Sequence, residues 1–272
     1  MTNAADMPDT LSDAAVLALE TADPAAKTSA VITFAANWRE GSITQVGTAN
    51  PPDRPARPAR PELRLPRDMP RRRRAHSETG RIALLHALAH IELNAVDLAC
   101  DIIARFTADD PPRDFYDDWI GVAADEARHF SLLVARLNDF GAAYGDLPAH
   151  DGLWEAATET VHDLLARLAI VPLVLEARGL DVTPPMIGNL RKAGDDDSAT
   201  LLEIIYRDEI THVAAGTRWF EHVCRARARD PVSTYQDMVR RHFRSGLKPP
   251  FNEDARGRAG LTREYYGPLA AD

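Results

Sequence analysis

The motif Asp-Glu-x-x-His occurs twice in this chain, as "DEARH" at residues 125–129 and as "DEITH" at residues 208–212. Each copy lies within a stretch whose apolar residues recur at the helical spacings of three, four and seven. Because residues three apart share a helix face, the glutamate and the histidine of each copy can serve one ligand together. The repeat predicts two helices that present the same pair of metal-ligating groups.

Two further stretches carry a glutamate where a helix would normally place a leucine. Glu92 is surrounded at helical spacing by leucine, alanine and valine, and Glu176 by leucine, alanine and proline. Glu126 and Glu209 hold the same central position in the two motif helices. A solvated helix face often carries Glu-x-x-His by chance, so one copy alone would be weak evidence. Two copies with two further mid-stripe glutamates indicate a common site instead.

Four carboxylates in one core predict a pair of bound metal ions. Moving an ionised carboxylate from water into a core costs several kcal/mol, and neighbouring carboxylates repel one another. Two divalent ions would neutralise the four glutamates, as would two ferric ions that share an oxide. Oxygen and imidazole ligands favour iron, manganese or a mixed pair over a thiolate-bound structural zinc. The predicted ligands are Glu92, Glu126, His129, Glu176, Glu209 and His212.

Three more residues are candidates for contacts around those ligands. Asp125 and Asp208 lie about 100° round their helices from the ligands, at the edge of the apolar stripe. We expect Asp125 to accept a hydrogen bond from His212, and Asp208 from His129, because such contacts orient a ligating imidazole. Tyr206, one turn before Glu209, could act as a hydrogen-bond donor or a redox-active phenol, and core packing is the alternative.

Composition places the chain among ordinary globular proteins. Its 272 residues are 45% hydrophobic and 27% charged, and the net charge of −9 argues against nucleic-acid binding by the whole surface. We find no run that approaches the roughly 20 apolar residues of a membrane helix. The N-terminus lacks the basic-then-apolar pattern of a signal peptide, and two cysteines make a disulfide framework improbable. We therefore expect a cytoplasmic protein that does not enter the membrane.

The chain divides into three predicted regions. Residues 1–76 hold two short helices, near 11–21 and 24–38, and a proline- and arginine-rich arm that packs on the body. Residues 77–228 form four long helices, and the segment 181–198, which could contain a short helix of its own, separates the third from the fourth. Residues 229–272 form an irregular C-terminal tail.

The arm has the strongest local charge bias in the chain. Between Arg54 and Arg74 it contains nine arginines against two acids, and seven prolines between residues 49 and 74 exclude regular helix. One interpretation is a solvated arm that lies on the acidic body. The other is a contact with nucleic acid or another anionic partner.

The ligand pattern resembles that of the ferritin-like di-iron carboxylate proteins over residues 78–228. The segments "HALAHIEL", "DEARHF", "YGDLPAHDGLWEA", "VLEARGLDVTP", "DEITHV" and "PPFN" are more narrowly similar to a bacterial ferritin-like family, domain of unknown function 455. The resemblance implies an all-α fold, a ferritin-like four-helix bundle with a long crossover between helices two and three. It also implies a dimetal centre with Glu126 and Glu209 as bridging ligands and Glu92 and Glu176 as terminal ligands.

The third helix of such a bundle poses a problem of length. Helices two and three should run parallel, but the link of twelve residues, 141–152, spans at most about 40 Å when fully extended. We expect the third helix to be broken near 160–163, so that "GLWEAATET" joins the crossover. Pro172, one turn before Glu176, should free a backbone carbonyl and bend the helix there.

The resemblance implies an enzyme, a di-iron oxidoreductase that activates O₂ or peroxide. The substrate would be a small molecule or RNA, and a tRNA-hydroxylase-like activity is one version, suggested by the arm. An electron donor would be a further partner, and we expect a monomer or dimer. The alternative is a metal-handling or oxidant-protection protein without an organic substrate, and a third is a bundle that holds metal only structurally.

Overall fold

The computed structural model describes residues 8–69, 77–243 and 246–271. Over those residues the chain is all-helical, joined by turns and isolated bridges, and no strand is formed. It divides into two compact units, Met1–Trp154 and Glu155–Asp272. Each unit contains one Asp-Glu-x-x-His motif.

The described residues of the first unit form the helices α1 (Leu11–Glu20), α2 (Pro24–Glu40), α3 (Glu78–Arg105) and α4 (Arg113–Asp139). Helices α3 and α4 pack along each other, α1 packs on α3, and α2 packs on α4. Side-chain caps begin three of the helices at Thr10, Asp23 and Ser77. The predicted helices at 11–21 and 24–38 are thereby confirmed to within two residues at each end.

Helix α3 buries a polar stripe as well as an apolar one. The stripe consists of His86, His90, Asn94, Asp97 and Asp101, each at most 5% exposed. His86 accepts hydrogen bonds from the amides of Gly145 (2.9 Å) and Leu147 (3.4 Å), so the loop after α4 covers this end of the stripe. Burial lowers the pKa of His86, which keeps the ring neutral and able to accept.

The arm covers the other end of the polar stripe. Arg57 reaches Asp97 (2.6 Å) and the side-chain oxygen of Asn94 (2.6 Å), and the buried Lys27 pairs with the same aspartate. Arg54 pairs with Asp151. The described arm therefore lies on the body, as the first interpretation expects, although Arg57 is half-buried rather than fully solvated. Residues 71–74, the run of four arginines, lie outside the described residues.

Helix α3 corrects the expectation that no stretch of the chain approaches a membrane helix in length and apolar character. By length and composition this helix could cross a membrane, with an 18-residue window of mean hydropathy 1.4. It is the one such helix in the described ranges, and 67% of that window is buried inside the protein. That burial is the pattern of a core helix in a soluble protein.

The third long helix is broken, as expected. A short helix, α5 (Gly152–Thr158), is followed by a turn, and α6 (Leu164–Ile170) begins at the side-chain cap of Asp163. A π-helical turn, Val171–Glu176, then leads into α7 (Ala177–Lys192). Pro172 lies in the π-helical turn, where the hydroxyl of Tyr235 donates to the carbonyl of Leu173 (3.1 Å). The predicted break at 160–163 and the distortion at Pro172 are confirmed.

Two other expectations for this unit are wrong. The sequence predicts that the segment 181–198 separates the third helix from the fourth, with at most a short helix of its own. Residues 181–192 instead continue α7 through Pro184 and Pro185, and α8 (Asp196–Ala226) begins after a short turn. The predicted irregular tail after 228 contains α9 (Pro231–His242), α10 (Glu253–Arg258) and α11 (Arg263–Tyr266). In α7 the side chain of Asn252 donates to the carbonyl of Leu180, which has lost its helical donor because Pro184 has no N–H.

A close approach between α8 and the π-helical turn requires glycine at position 216. A Cβ atom there would lie 2.4 Å from the Cβ atom of Pro172 and 2.7 Å from its Cγ atom. We expect Gly216→Ala to destabilise the protein by about 1–3 kcal/mol, as overpacking does in a close-packed core. Denaturant unfolding would measure the loss.

The matched control is Gly188→Ala in α7, where a Cβ atom would meet nothing within 4 Å. This variant should instead gain about 0.5–1 kcal/mol, because alanine is favoured over glycine inside a helix. Equal behaviour of the two variants would contradict the close approach.

Candidate metal centre

In the first unit, helices α3 and α4 bring three of the predicted ligands together. The Nδ1 atom of His129 lies 3.1 Å from Glu92 Oε2 and 3.5 Å from Glu126 Oε2. One ligand atom from each of the three residues lies within 4.8 Å of the others. Glu92 is 4% exposed, and the other two are 0% exposed. The three side chains form a compact donor group sealed from water.

Helix geometry explains why these three residues meet. Glu126 and His129 are one turn apart on the buried face of α4, among Trp119, Val122, Phe130 and Leu133. Glu92 stands in the middle of the 28-residue α3, which packs along α4. Each charged group therefore lies far from the helix ends, where water could solvate it.

Burial strongly perturbs the protonation of this group. Burial raises the pKa of Glu92 well above its usual value, and the charge of Glu126 raises it further. Burial acts to lower the pKa of His129, but hydrogen bonds and charge from Glu126 and Glu92 outweigh it and raise that pKa to about 11. In the protein without metal, protons therefore balance part of the negative charge that a cation could balance.

In the second unit, α8 presents the matching pair. The Nδ1 atom of His212 lies 3.7 Å from Glu209 Oε1, and the two residues are 1% and 8% exposed. Glu176 ends the π-helical turn that packs against α8. Its side chain is half-buried, whereas the other five predicted ligands are buried. Glu176 is thus the ligand candidate closest to solvent, and it lies on irregular helix.

The donor set fits a metal ion in its chemistry. Carboxylate oxygens and imidazole nitrogens are the ligands that iron and manganese accept in helical bundles. A bound cation would also reduce the repulsion among the carboxylates of this buried group, in which neighbouring charges raise the pKa values of Glu92 and His129. The residues therefore could hold a metal ion.

The three candidates around the ligands occupy the following places. Asp125 is part-exposed and pairs with Arg128 (3.0 Å), and Asp208 lies 3.5 Å from Arg207. The predicted contacts of these aspartates with His212 and His129 stay predictions. The hydroxyl of Tyr206 accepts a hydrogen bond from the side-chain amide of Asn252 (2.9 Å).

Sequence reasoning missed the residues that support the broken third helix. Asn252 and Arg256 of the C-terminal segment donate to α7, and Tyr235 of α9 donates to the π-helical turn. A signal for them was present: prolines inside a helical stretch leave backbone carbonyls that need donors from elsewhere. The sequence does not show which distant residues provide those donors.

One family model and one curated relative match most of this chain. Residues 20–267 match the model of the family described as protein of unknown function (DUF455). An uncharacterized protein of Haemophilus influenzae (strain ATCC 51907 / DSM 11121 / KW20 / Rd) is 40% identical over 211 residues, which cover 76% of this chain and 73% of that protein. No solved structure matches this chain significantly. The chain therefore belongs to the DUF455 family.

Proposed function

We propose that this chain is a ferritin-like carboxylate protein that holds two metal ions, two irons or an iron–manganese pair. In this proposal α3, α4, the broken helix from α6 to α7, and α8 form the four-helix bundle, with its long crossover ahead of α6. The ligands would be Glu92, Glu126, His129, Glu176, Glu209 and His212, with Glu126 and Glu209 bridging. The observation that carries the proposal is the buried group of Glu92, Glu126 and His129.

The second unit supports the proposal by repeating the same local arrangement. Glu209 and His212 share a buried helix face at the same spacing of three residues as Glu126 and His129. Burying these ionised side chains without a ligand would destabilise the fold, since each ionised group loses its hydration. Two such pairs in one chain, each with a further glutamate on a neighbouring helix, match the ligand order of a dimetal bundle.

We propose that the bound pair makes the protein an oxidase or monooxygenase of unknown substrate. Iron in such a site would supply redox reactivity toward O₂ or peroxide. The chain would contribute a water-excluding wall, since Trp119, Ala123 and Leu133 around the first-unit ligands are fully buried. Half-buried Glu176 would mark the side through which a substrate approaches. An electron donor and a cytoplasmic location belong to the same proposal.

The RNA-modifying version of this proposal depends on few residues. Arg54, Arg57 and Arg64 form ion pairs within the chain, so an RNA contact would depend mainly on the remaining arginines of the arm, four of which form the run Arg71–Arg74. Replacing those four arginines by serine should abolish retention on an RNA column while the fold is kept. Unchanged retention would remove the RNA version and leave the metal centre untouched.

The proposal is tested by loading metal-free protein with Fe(II) in the absence of O₂. We expect two ions per chain by elemental analysis, and a new near-ultraviolet absorption band when O₂ is added. Failure to bind iron, or binding without any response to O₂ and peroxide, would overturn the proposal that the protein is an oxidase or monooxygenase. Size-exclusion chromatography separates the alternative, because iron storage requires a large assembly and the proposed oxidase is a monomer or dimer.

A further inference from the structure

Helix α7 and the π-helical turn before it receive three side-chain hydrogen bonds from the C-terminal part of the chain. The hydroxyl of Tyr235 donates to the carbonyl of Leu173 (3.1 Å), and Arg256 Nη2 donates to the carbonyl of Ala177 (3.2 Å). Asn252 Nδ2 donates to the carbonyl of Leu180 (3.1 Å). We call Tyr235, Asn252 and Arg256 the C-terminal clamp.

The three acceptors lie on one side of the irregular helix and bracket Glu176. Positions 173, 177 and 180 follow the helical spacing of four and three, so their carbonyls lie along one face. Pro184 has no N–H, and the carbonyl of Leu180 therefore lacks the donor that a regular helix would supply. Asn252 takes the place of that donor. The clamp thus holds the backbone where the α-helical pattern fails.

A buried ion pair fixes the clamp itself. Arg256 is 2% exposed and binds Asp181 as a fork, with its Nε atom 2.8 Å from Oδ1 and its Nη2 atom 2.7 Å from Oδ2. The backbone amide of Asn252 donates to the same carboxylate (2.9 Å). The guanidinium also lies over the rings of Phe251 and Tyr266, at 5.1 Å and 4.7 Å from their centres. A fork of this kind demands one geometry, so Arg256 and Asp181 hold a defined position.

We infer that the C-terminal clamp positions Glu176 for metal binding, an inference that rests on the proposed function. Glu176 is the half-buried ligand candidate and ends a π-helical turn, a distortion that often marks functional sites. A π-helical turn displaces the following residue relative to a regular helix. The bonds to residues 173, 177 and 180 hold that displacement on both sides of Glu176. Tyr235 and Asn252 are therefore positioning residues for the metal centre.

The test removes one hydroxyl from the clamp and leaves its shape unchanged. Tyr235→Phe should weaken Fe(II) or Co(II) binding at one of the two sites by about ten-fold. This is the lower end of the effect of losing a direct outer contact to a ligand, because the hydroxyl acts on Glu176 only through the backbone at Leu173. The visible spectrum of the Co(II) form should change as well, because the coordination geometry responds to the position of Glu176. In the metal-free variant, the amides of 173–180 should exchange hydrogen faster than in the wild type.

Tyr265→Phe is the matched control, since its hydroxyl bonds to Glu221 Oε1 (2.8 Å) and its ring contacts Tyr235. This variant should keep wild-type metal affinity and wild-type exchange over 173–180. Wild-type affinity or unchanged exchange in Tyr235→Phe would overturn the inference. If the wild type itself binds no metal, the proposed function fails, and the metal role of the clamp fails with it. Hydrogen exchange over 173–180 would still test the backbone part of the inference, because it is measured without metal.

Discussion

Glu126→Gln is expected to lose metal binding by at least about a hundred-fold while the metal-free protein keeps its stability. A ligand contributes more than an outer contact, whose loss costs about 10–100-fold in affinity. The metal-free protein is spared because the charge of Glu126 raises the pKa of Glu92, so its removal relieves repulsion in the core. His129 keeps its 3.1 Å contact with Glu92 in the variant. Iron content after dialysis and denaturant unfolding measure the two effects.

The matched control is Glu40→Gln, at the exposed end of α2. It should bind metal and unfold as the wild type does. If Glu126 served only in a structural salt bridge, Glu126→Gln would instead destabilise the metal-free protein, since breaking a buried pair costs about 3–5 kcal/mol. Unchanged iron content in Glu126→Gln, or a stability loss of that size without metal, would refute a ligand role for this residue.

The second large effect is expected at Asp97, under the arm. Asp97 is 1% exposed and faces Lys27 and Arg57, and Lys27 is itself 1% exposed. Burial raises the pKa of Asp97 despite both cations, which shows how strongly the site disfavours an isolated charge. Asp97→Asn would leave the ammonium of Lys27 buried without its carboxylate. We expect a loss of about 3–5 kcal/mol of unfolding free energy, the cost of an uncompensated buried charge.

The double variant Lys27→Met/Asp97→Asn distinguishes this cause from lost packing. It removes the stranded ammonium, so it should be more stable than Asp97→Asn alone, although it lacks both partners. Asp139→Asn, an exposed aspartate on α4, is the control and should change stability by less than about 0.5 kcal/mol. A double variant less stable than the single variant would contradict the charge argument.

The electrostatics of α3 connect these two predictions. One face of this helix carries Glu92 toward His129 of α4, and another carries Asp97 toward Lys27 of α2 and Arg57 of the arm. Asp97 has permanent partners in Lys27 and Arg57. Glu92 has instead a histidine with a pKa of about 11 and a second carboxylate. The charge of Asp97 is therefore neutralised by the chain itself, whereas the glutamate group holds protons that a bound cation could replace.

Local features of this protein could be predicted from the order of its residues. The spacing of apolar residues located α1, α2, α3, α4 and α8, because helix formation depends on neighbours within one or two turns. The same spacing placed Glu126 with His129, and Glu209 with His212, on buried faces. Pro172 predicted a distorted turn, since its ring cannot donate a hydrogen bond wherever it stands. These predictions needed no knowledge of distant contacts.

Features that depend on distant residues became visible only in the folded chain. Helix α7 continues through Pro184 and Pro185 because Asn252, far along the chain, satisfies the carbonyl of Leu180. Arg57 is half-buried because it pairs with the buried Asp97, although the composition of the arm suggested a fully solvated position. Residue order states which groups lack partners or carry charge, and tertiary packing chooses the partner, because the free energy of burying such a group depends on what surrounds it.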